Sequence, residues 1–155
     1  MRFTVAEGEA IVAKLEAMPR RLAGMTAGAV ESRLRTAPGR KSWAAADILA
    51  HLRACADLWG NSIYAMLAAT DVELPDIDER KWARAARYAE VTFKESLQAY
   101  TLQRNNLVRV LRGLTPAAWE RSALIFGRRH TVFSQARRMA KHEQEHSGQI
   151  ESLLQ

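Results

Sequence analysis

Apolar side chains along this chain return every three or four positions, the period of a helix lying against a core. No stretch alternates convincingly with the period of two that a half-buried strand needs. Residues 5–34 read as a first helical region interrupted at Met18-Pro19, because proline disfavours helical geometry in the residue before it. Thr36-Ala37-Pro38-Gly39-Arg40 reads as a loop, and Ser42 offers an N-cap for a second helix over 43–69. Thr70 to Asp78, containing Pro75, is the next connection. The third helix is expected to be long, 79–113. Ala86, Phe93, Tyr100, Leu107 and Leu114 stand seven apart in it, and Trp82, Ala89, Ser96, Gln103 and Val110 form a companion set. Such a seam packs against antiparallel neighbours. Gly113 ends it, and Thr115-Pro116 starts a short helical turn with proline at the first position. A last helix covers 131–154. Four long helices with short links predict an all-α, up-down four-helix bundle, read as one domain over 1–155.

Composition narrows the class. The chain has 155 residues, of which 48% are hydrophobic and 26% charged, a globular balance. No apolar run reaches the ~18–20 residues that cross a bilayer. Glu7 and Glu9 interrupt the N-terminal region where an export signal needs an apolar core. Cys55 stands alone, which excludes an internal disulfide and suits a reducing compartment, so a cytoplasmic location is expected. The net charge of +6 is spread in pairs such as Arg20-Arg21, Arg128-Arg129 and Arg137-Arg138, with no nucleic-acid-binding motif beside them. A solvated basic surface accounts for it, and neither a nucleic acid nor a membrane is expected as partner.

The chemistry gathers on histidines. His142-Glu143-Gln144-Glu145-His146 spells H-E-x-x-H, the string in which zinc peptidases place two histidines and a glutamate base. Steps of four and three from Gln135 pass through Met139, His142, His146, Gln149 and Leu153, which predicts that both histidines face the core. Ile48, His51, Cys55, Leu58 and Ser62 follow the same rule on the second helix, so His51 is expected to point inward too. His130, beside Arg128-Arg129, reads as an ordinary loop residue. Three buried imidazoles carry a desolvation cost unless something binds them, and spacing of four stacks two on one face as a shared metal requires. A shared metal, an unmetallated polar core and misread helix faces are all open on spacing alone.

The stretches GRKSWAAADILAHLRACADLW at 39–59 and LTPAAWERSALIFGRRHTVFSQARRMAKHEQEHSGQI at 114–150, with the long helix between them, resemble the DinB-like superfamily of small metal-binding four-helix bundles. That superfamily is unrelated to the DNA polymerase sharing its name. In it a tryptophan precedes a helix carrying one ligand histidine, matched here by Trp43 and His51. Two further ligands come from H-x-x-x-H in the last helix, matched by His142 and His146. Many members carry another histidine in a stretch H-x-x-x-G; Ala123-Leu124-Ile125-Phe126-Gly127 lacks it. The resemblance implies a divalent-metal-dependent enzyme, either an S-transferase using a low-molecular-weight thiol or a hydrolase acting on a small molecule. It also implies a homodimer.

The peptidase reading does not survive the spacing. Zincins take their third ligand downstream of H-E-x-x-H, and after His146 the chain holds no histidine and one acid, Glu151, rotated well away on the same helix. The third ligand must lie upstream, and His51 fits. Glu143 and Glu145 are then expected to be exposed, or to support the site from outside the ligand set. Three neutral imidazoles leave a metal with an open position, the catalytic pattern, and suit zinc or nickel first, with iron or manganese as further candidates. Asp47, Cys55, Ser96, Gln103 and Gln149 are candidates to line the pocket or to orient the imidazoles. No residue is assigned as the catalytic acid, base or nucleophile. The alternative is a non-catalytic bundle that holds metal for stability, sensing or a stress response.

Overall fold

The structure, a computed structural model, describes residues 2–155. Four long helices form the body: α1 (Val5–Thr26), α3 (Ala45–Ala68), α5 (Phe93–Arg112) and α7 (Val132–Leu154). Three short ones fill the links: α2 (Glu31–Leu34), α4 (Glu79–Ala85) and α6 (Pro116–Trp119). Helix α1 packs on α5 and α7, and α3 packs on the same two. Helices consecutive in the chain, α1 with α3 and α5 with α7, therefore sit across the bundle from each other. The expected four-helix bundle is present, but residues 27–44 and 113–131 are long links with structure of their own, which lets the chain cross that diagonal. Among the described residues no helix is long and apolar enough to cross a membrane.

Local expectations needed correction at several places. Pro19 lies inside α1, and the break comes later, at Ala27-Gly28. Met18, Pro19 and Leu22 are all buried, and packing of that face offsets a lost backbone hydrogen bond. Helix α3 is capped at Ala44 rather than Ser42, with the Asp47 carboxylate accepting from the Ala44 N–H at 2.9 Å. The expected helix 79–113 is broken. After α4, Arg87 turns left-handed at φ 57, a 3₁₀ turn follows at Tyr88–Glu90, and α5 starts afresh behind Thr92. Thr92 and Glu95 cap it reciprocally, each side chain receiving the other's backbone N–H at 3.2 Å. The break folds α4 back over α3, where Asp57 accepts from Trp82 Nε1 at 2.9 Å, from Gln103 Nε2 at 2.6 Å and from the Tyr88 hydroxyl.

The fold is all-α as expected, apart from a small three-stranded sheet that the helical period did not reveal. Strand β2 (Ser122–Ile125) pairs in parallel with β1 (Val72–Leu74) and antiparallel with β3 (Arg128–Thr131). His130 is thus a strand residue opposite Ala123, not a loop residue. Phe126 and Gly127, with φ of 49° and 72°, make the tight turn of this hairpin. Strands of three and four residues are too short to show a period, which is why they were illegible.

The core divides into two clusters. One holds Leu15, Trp59, Ile63, Leu107, Phe133 and Met139, and the other Leu22, Leu49, Leu52, Tyr100 and Ile150. Arg104 and Glu143, each 1% exposed, are ion-paired between helices α5 and α7.

Candidate metal centre

His51 from α3 and His142 and His146 from α7 are brought together. His51 Nε2 lies 3.1 Å from His142 Nε2, which lies 3.0 Å from His146 Nε2. One ring nitrogen from each lies within 4.8 Å of the others, and among the described residues this is the one such group of metal-ligating side chains. His130 is not part of it. Nitrogens about 2.0–2.1 Å from a tetrahedral ion stand roughly 3.3 Å apart, so the donor set fits a divalent ion after a few tenths of an ångström of relaxation.

The stripe expected to face the core is rotated. On α7 the buried positions are Val132, Phe133, Gln135, Ala136, Met139, Ala140, Glu143, Ser147 and Ile150, so Gln135 and Met139 of that stripe stay inside while His142 and His146 are half-buried at the edge of the buried face. The triad therefore sits where the bundle meets α4, not in its dry centre. Aromatic faces hold the rings there. Trp43 is tilted over His51 with centroids 5.1 Å apart and stacked toward His146 at 6.3 Å. Trp59 meets His142 edge-on at 4.9 Å. Three clefts open on the triad, one beside each histidine.

The residues expected around the site divide. Gln149 joins it: its Oε1 lies 2.8 Å from His146 Nδ1, so an Nδ1–H donates there and Nε2 is left free as a ligand. Replacing Gln149 with alanine is expected to weaken zinc affinity by about 10–100-fold, as loss of such orienting partners does, measured by competition with a chromogenic chelator. Cys55 lies beneath the rings, its Sγ 3.6 Å from His51 Nε2 and 4.0 Å from His142 Nε2. Burial pushes its thiol well above the ordinary range, with the Glu79 carboxylate adding to the effect. Asp47 borders the cleft beside His51, but its carboxylate serves the helix cap. Ser96 and Gln103 do not reach the triad. Ser96 accepts from Arg53 at 3.1 Å, and Gln103 is bound to Asp57, because the break before α5 aims that seam at another face of α3.

Glu143, expected to be exposed or to support the ligands from behind, does neither. Its carboxylate is buried against Arg104, whose second amino group lies 2.8 Å from Met139 Sδ. A signal existed: Tyr100, Arg104, Leu107 and Leu111 run in helical steps, as do Ala136, Ala140, Glu143 and Ser147, so one cation and one anion interrupt matching buried stripes. Glu145 is exposed, 3.8 Å from Lys141.

Burial and then the neighbouring His146 and His51 push His142 down to about 3, and burial and then His146 also lower His51. The neutral ring is the ligating form, so the shifts at His142 and His51 favour the form that could hold a cation. The consequence for stability has a definite sign. A histidine depressed in the folded state binds fewer protons than in the unfolded chain, so metal-free protein loses stability as pH falls below about 6.5 toward 3. Chemical denaturation of the metal-free protein at pH 7.5 and pH 5 is expected to show this loss, and His142→Ala is expected to lessen it.

The same architecture occurs in YfiT from Bacillus subtilis, described as a probable metal-dependent hydrolase with an unusual four-helix bundle topology. The two superpose with a TM-score of 0.80 at 19% identity, over 97% of this chain and 87% of that one, a likeness of fold. No curated protein matches the chain. A family model described as DinB superfamily matches residues 14–150, which include all three histidines and the helices that bring them together, and the chain belongs to that superfamily.

Proposed function

We propose that this protein is a divalent-metal-dependent enzyme that acts on a small molecule at His51, His142 and His146. The observation that supports this reading most is the convergence of three Nε2 atoms at the half-open edge of the bundle. A purely structural site would be closed, with four protein ligands and no way in. A divalent ion held by the three imidazoles supplies Lewis-acid activation of a water or a thiol at an open position. The chain's own residues do the rest. Gln149 holds the His146 tautomer, Trp43 and Trp59 fix the ring planes, and the clefts admit a substrate to that edge.

Cys55 decides between the open and the closed site. Its sulfur lies close enough to two of the rings to be a fourth ligand, yet it is not among the atoms lying within 4.8 Å of one another. Cys55→Ala is expected to retain one metal per chain with unchanged affinity, measured by atomic emission and chelator competition. Loss of the metal would make the site a closed structural one.

Hydrolysis and thiol transfer are the two reactions we propose for this site. Zinc- and nickel-loaded protein, assayed on activated esters and amides in water and on electrophiles with low-molecular-weight thiols, is expected to turn over one set. That turnover is expected to vanish on chelation and in His142→Ala. Metal-saturated protein inert toward both sets would favour the non-catalytic reading.

A further inference from the structure

The openings around the triad differ in charge. In the cleft beside His142, opposite charges face each other, with Arg138 4.0 Å from Glu79 and Lys141 3.8 Å from Glu145. The other two openings, about 690 Å³ beside His146 and about 490 Å³ beside His51, are of a size that takes small molecules. Lys41 and Arg80 are the charged residues lining the larger one. The smaller adds Arg84 and Arg87, of which Arg87 is spent on Glu90 at 2.7 Å. Its remaining acid, Asp47, accepts from the helix-cap N–H. Among the described residues no carboxylate lies within 4.0 Å of Lys41, Arg80 or Arg84, although Asp78 acts on Arg84 from farther off. Arg80 lines both openings and stands 5.4 Å from the centre of the Trp43 ring, the ring that also covers His51 and His146.

A guanidinium resting by an aromatic face keeps its outward N–H donors free, and a planar fork of donors matches a carboxylate. The unpaired cations and the flat ring thus sit side by side, within reach of the triad. We infer that this cleft selects small organic anions, with Arg80 as the specificity-determining residue that binds the anionic group and Trp43 as the surface that takes the substrate's apolar body. The inference rests on the triad being the reacting centre and adds which end of the substrate faces Arg80.

Binding of three probes of one shape tests it: 3-phenylpropionate, 3-phenylpropionamide and 3-phenylpropylamine, titrated calorimetrically into zinc-loaded and zinc-free protein. The carboxylate is expected to bind most tightly and the amine most weakly in both forms. Preference in the zinc-free form separates the cleft's own charge from direct ligation of the metal. Arg80→Gln is expected to cost the carboxylate roughly tenfold in affinity and to leave the amide unchanged, with Arg80→Lys recovering part of the loss. Equal affinity for carboxylate and amide, an unaltered carboxylate affinity in Arg80→Gln, or no measurable carboxylate binding would each overturn the inference. Zinc content of the same samples reads the metal site separately. Zinc uptake without anion preference removes the cleft's selectivity alone, and anion preference without zinc uptake removes the metal reading alone.

Discussion

Zinc binding is expected to fall by more than about 100-fold when His142 is replaced by alanine, because loss of a ligand exceeds the 10–100-fold cost of losing an orienting partner. His142 is the middle member of the triad, its Nε2 within 3.1 Å of both others. Without it, His51 and His146 are two donors that no third imidazole joins. The effect has a stability readout. Free zinc at 100 times its dissociation constant adds about 2.7 kcal/mol, or roughly 5–10 °C in melting temperature for a chain of this size. That gain is expected in the parent protein and to be absent in His142→Ala, while the melting temperature in chelator at pH 7.5 changes little. His51→Ala and His146→Ala are expected to follow the same pattern. A zinc-dependent rise that survives in all three variants would mean the ion binds elsewhere.

The second large effect concerns stability rather than metal. Glu143→Gln leaves the Arg104 guanidinium buried without its counter-charge, a change that costs about 3–5 kcal/mol. For this chain length that lowers the melting temperature by roughly 10 °C. Glu143 Oε2, Arg104 Nε and the neighbouring Tyr100 hydroxyl all lack hydrogen-bond partners, and a neutral hydroxyl cannot replace the lost counter-charge. Zinc stoichiometry is expected to be unchanged, since Glu143 is turned into the core and away from the triad's open edge. Replacing both partners by methionine is expected to recover most of the loss, because two buried charges leave together. The result also separates two meanings of H-E-x-x-H. In a zincin the glutamate is the general base, and its amide would stop catalysis while leaving the fold intact. Here the amide is expected to weaken the fold and spare the site.

Much of this molecule is legible in one dimension. Period-3.6 patterning located α1, α3 and α7, and the spacing of four between His142 and His146 is enough to place two imidazoles side by side on any helix. The absence of a downstream ligand dismissed the peptidase reading without coordinates. Thr92 and Glu95 carried a capping signal that marks the start of α5, and the seven-residue seam running through it concealed the break. Arg104 and Glu143 were readable as charges on buried stripes, but each alone resembles a solvated residue. Only their meeting across two helices shows that they are one ion pair.

What the tertiary structure decided is everything that depends on how the helices are rotated and joined. A helix turns about 100° per residue, so displacing a core-facing stripe by one position moves a side chain from the dry interior to the edge. That rotation put His142 and His146 half in solvent, where they can serve a substrate, and sent Glu143 inside. The meeting of His51 with His142, 91 residues apart, depends on α3 packing against α7, an arrangement no local period encodes. The resemblance to the superfamily pointed to that pairing, and the packing shows it. The charge of the clefts was invisible for the same reason: a net +6 becomes a selective surface only where folding leaves Arg80 beside Trp43 and pairs the basic residues of the opposite opening with acids.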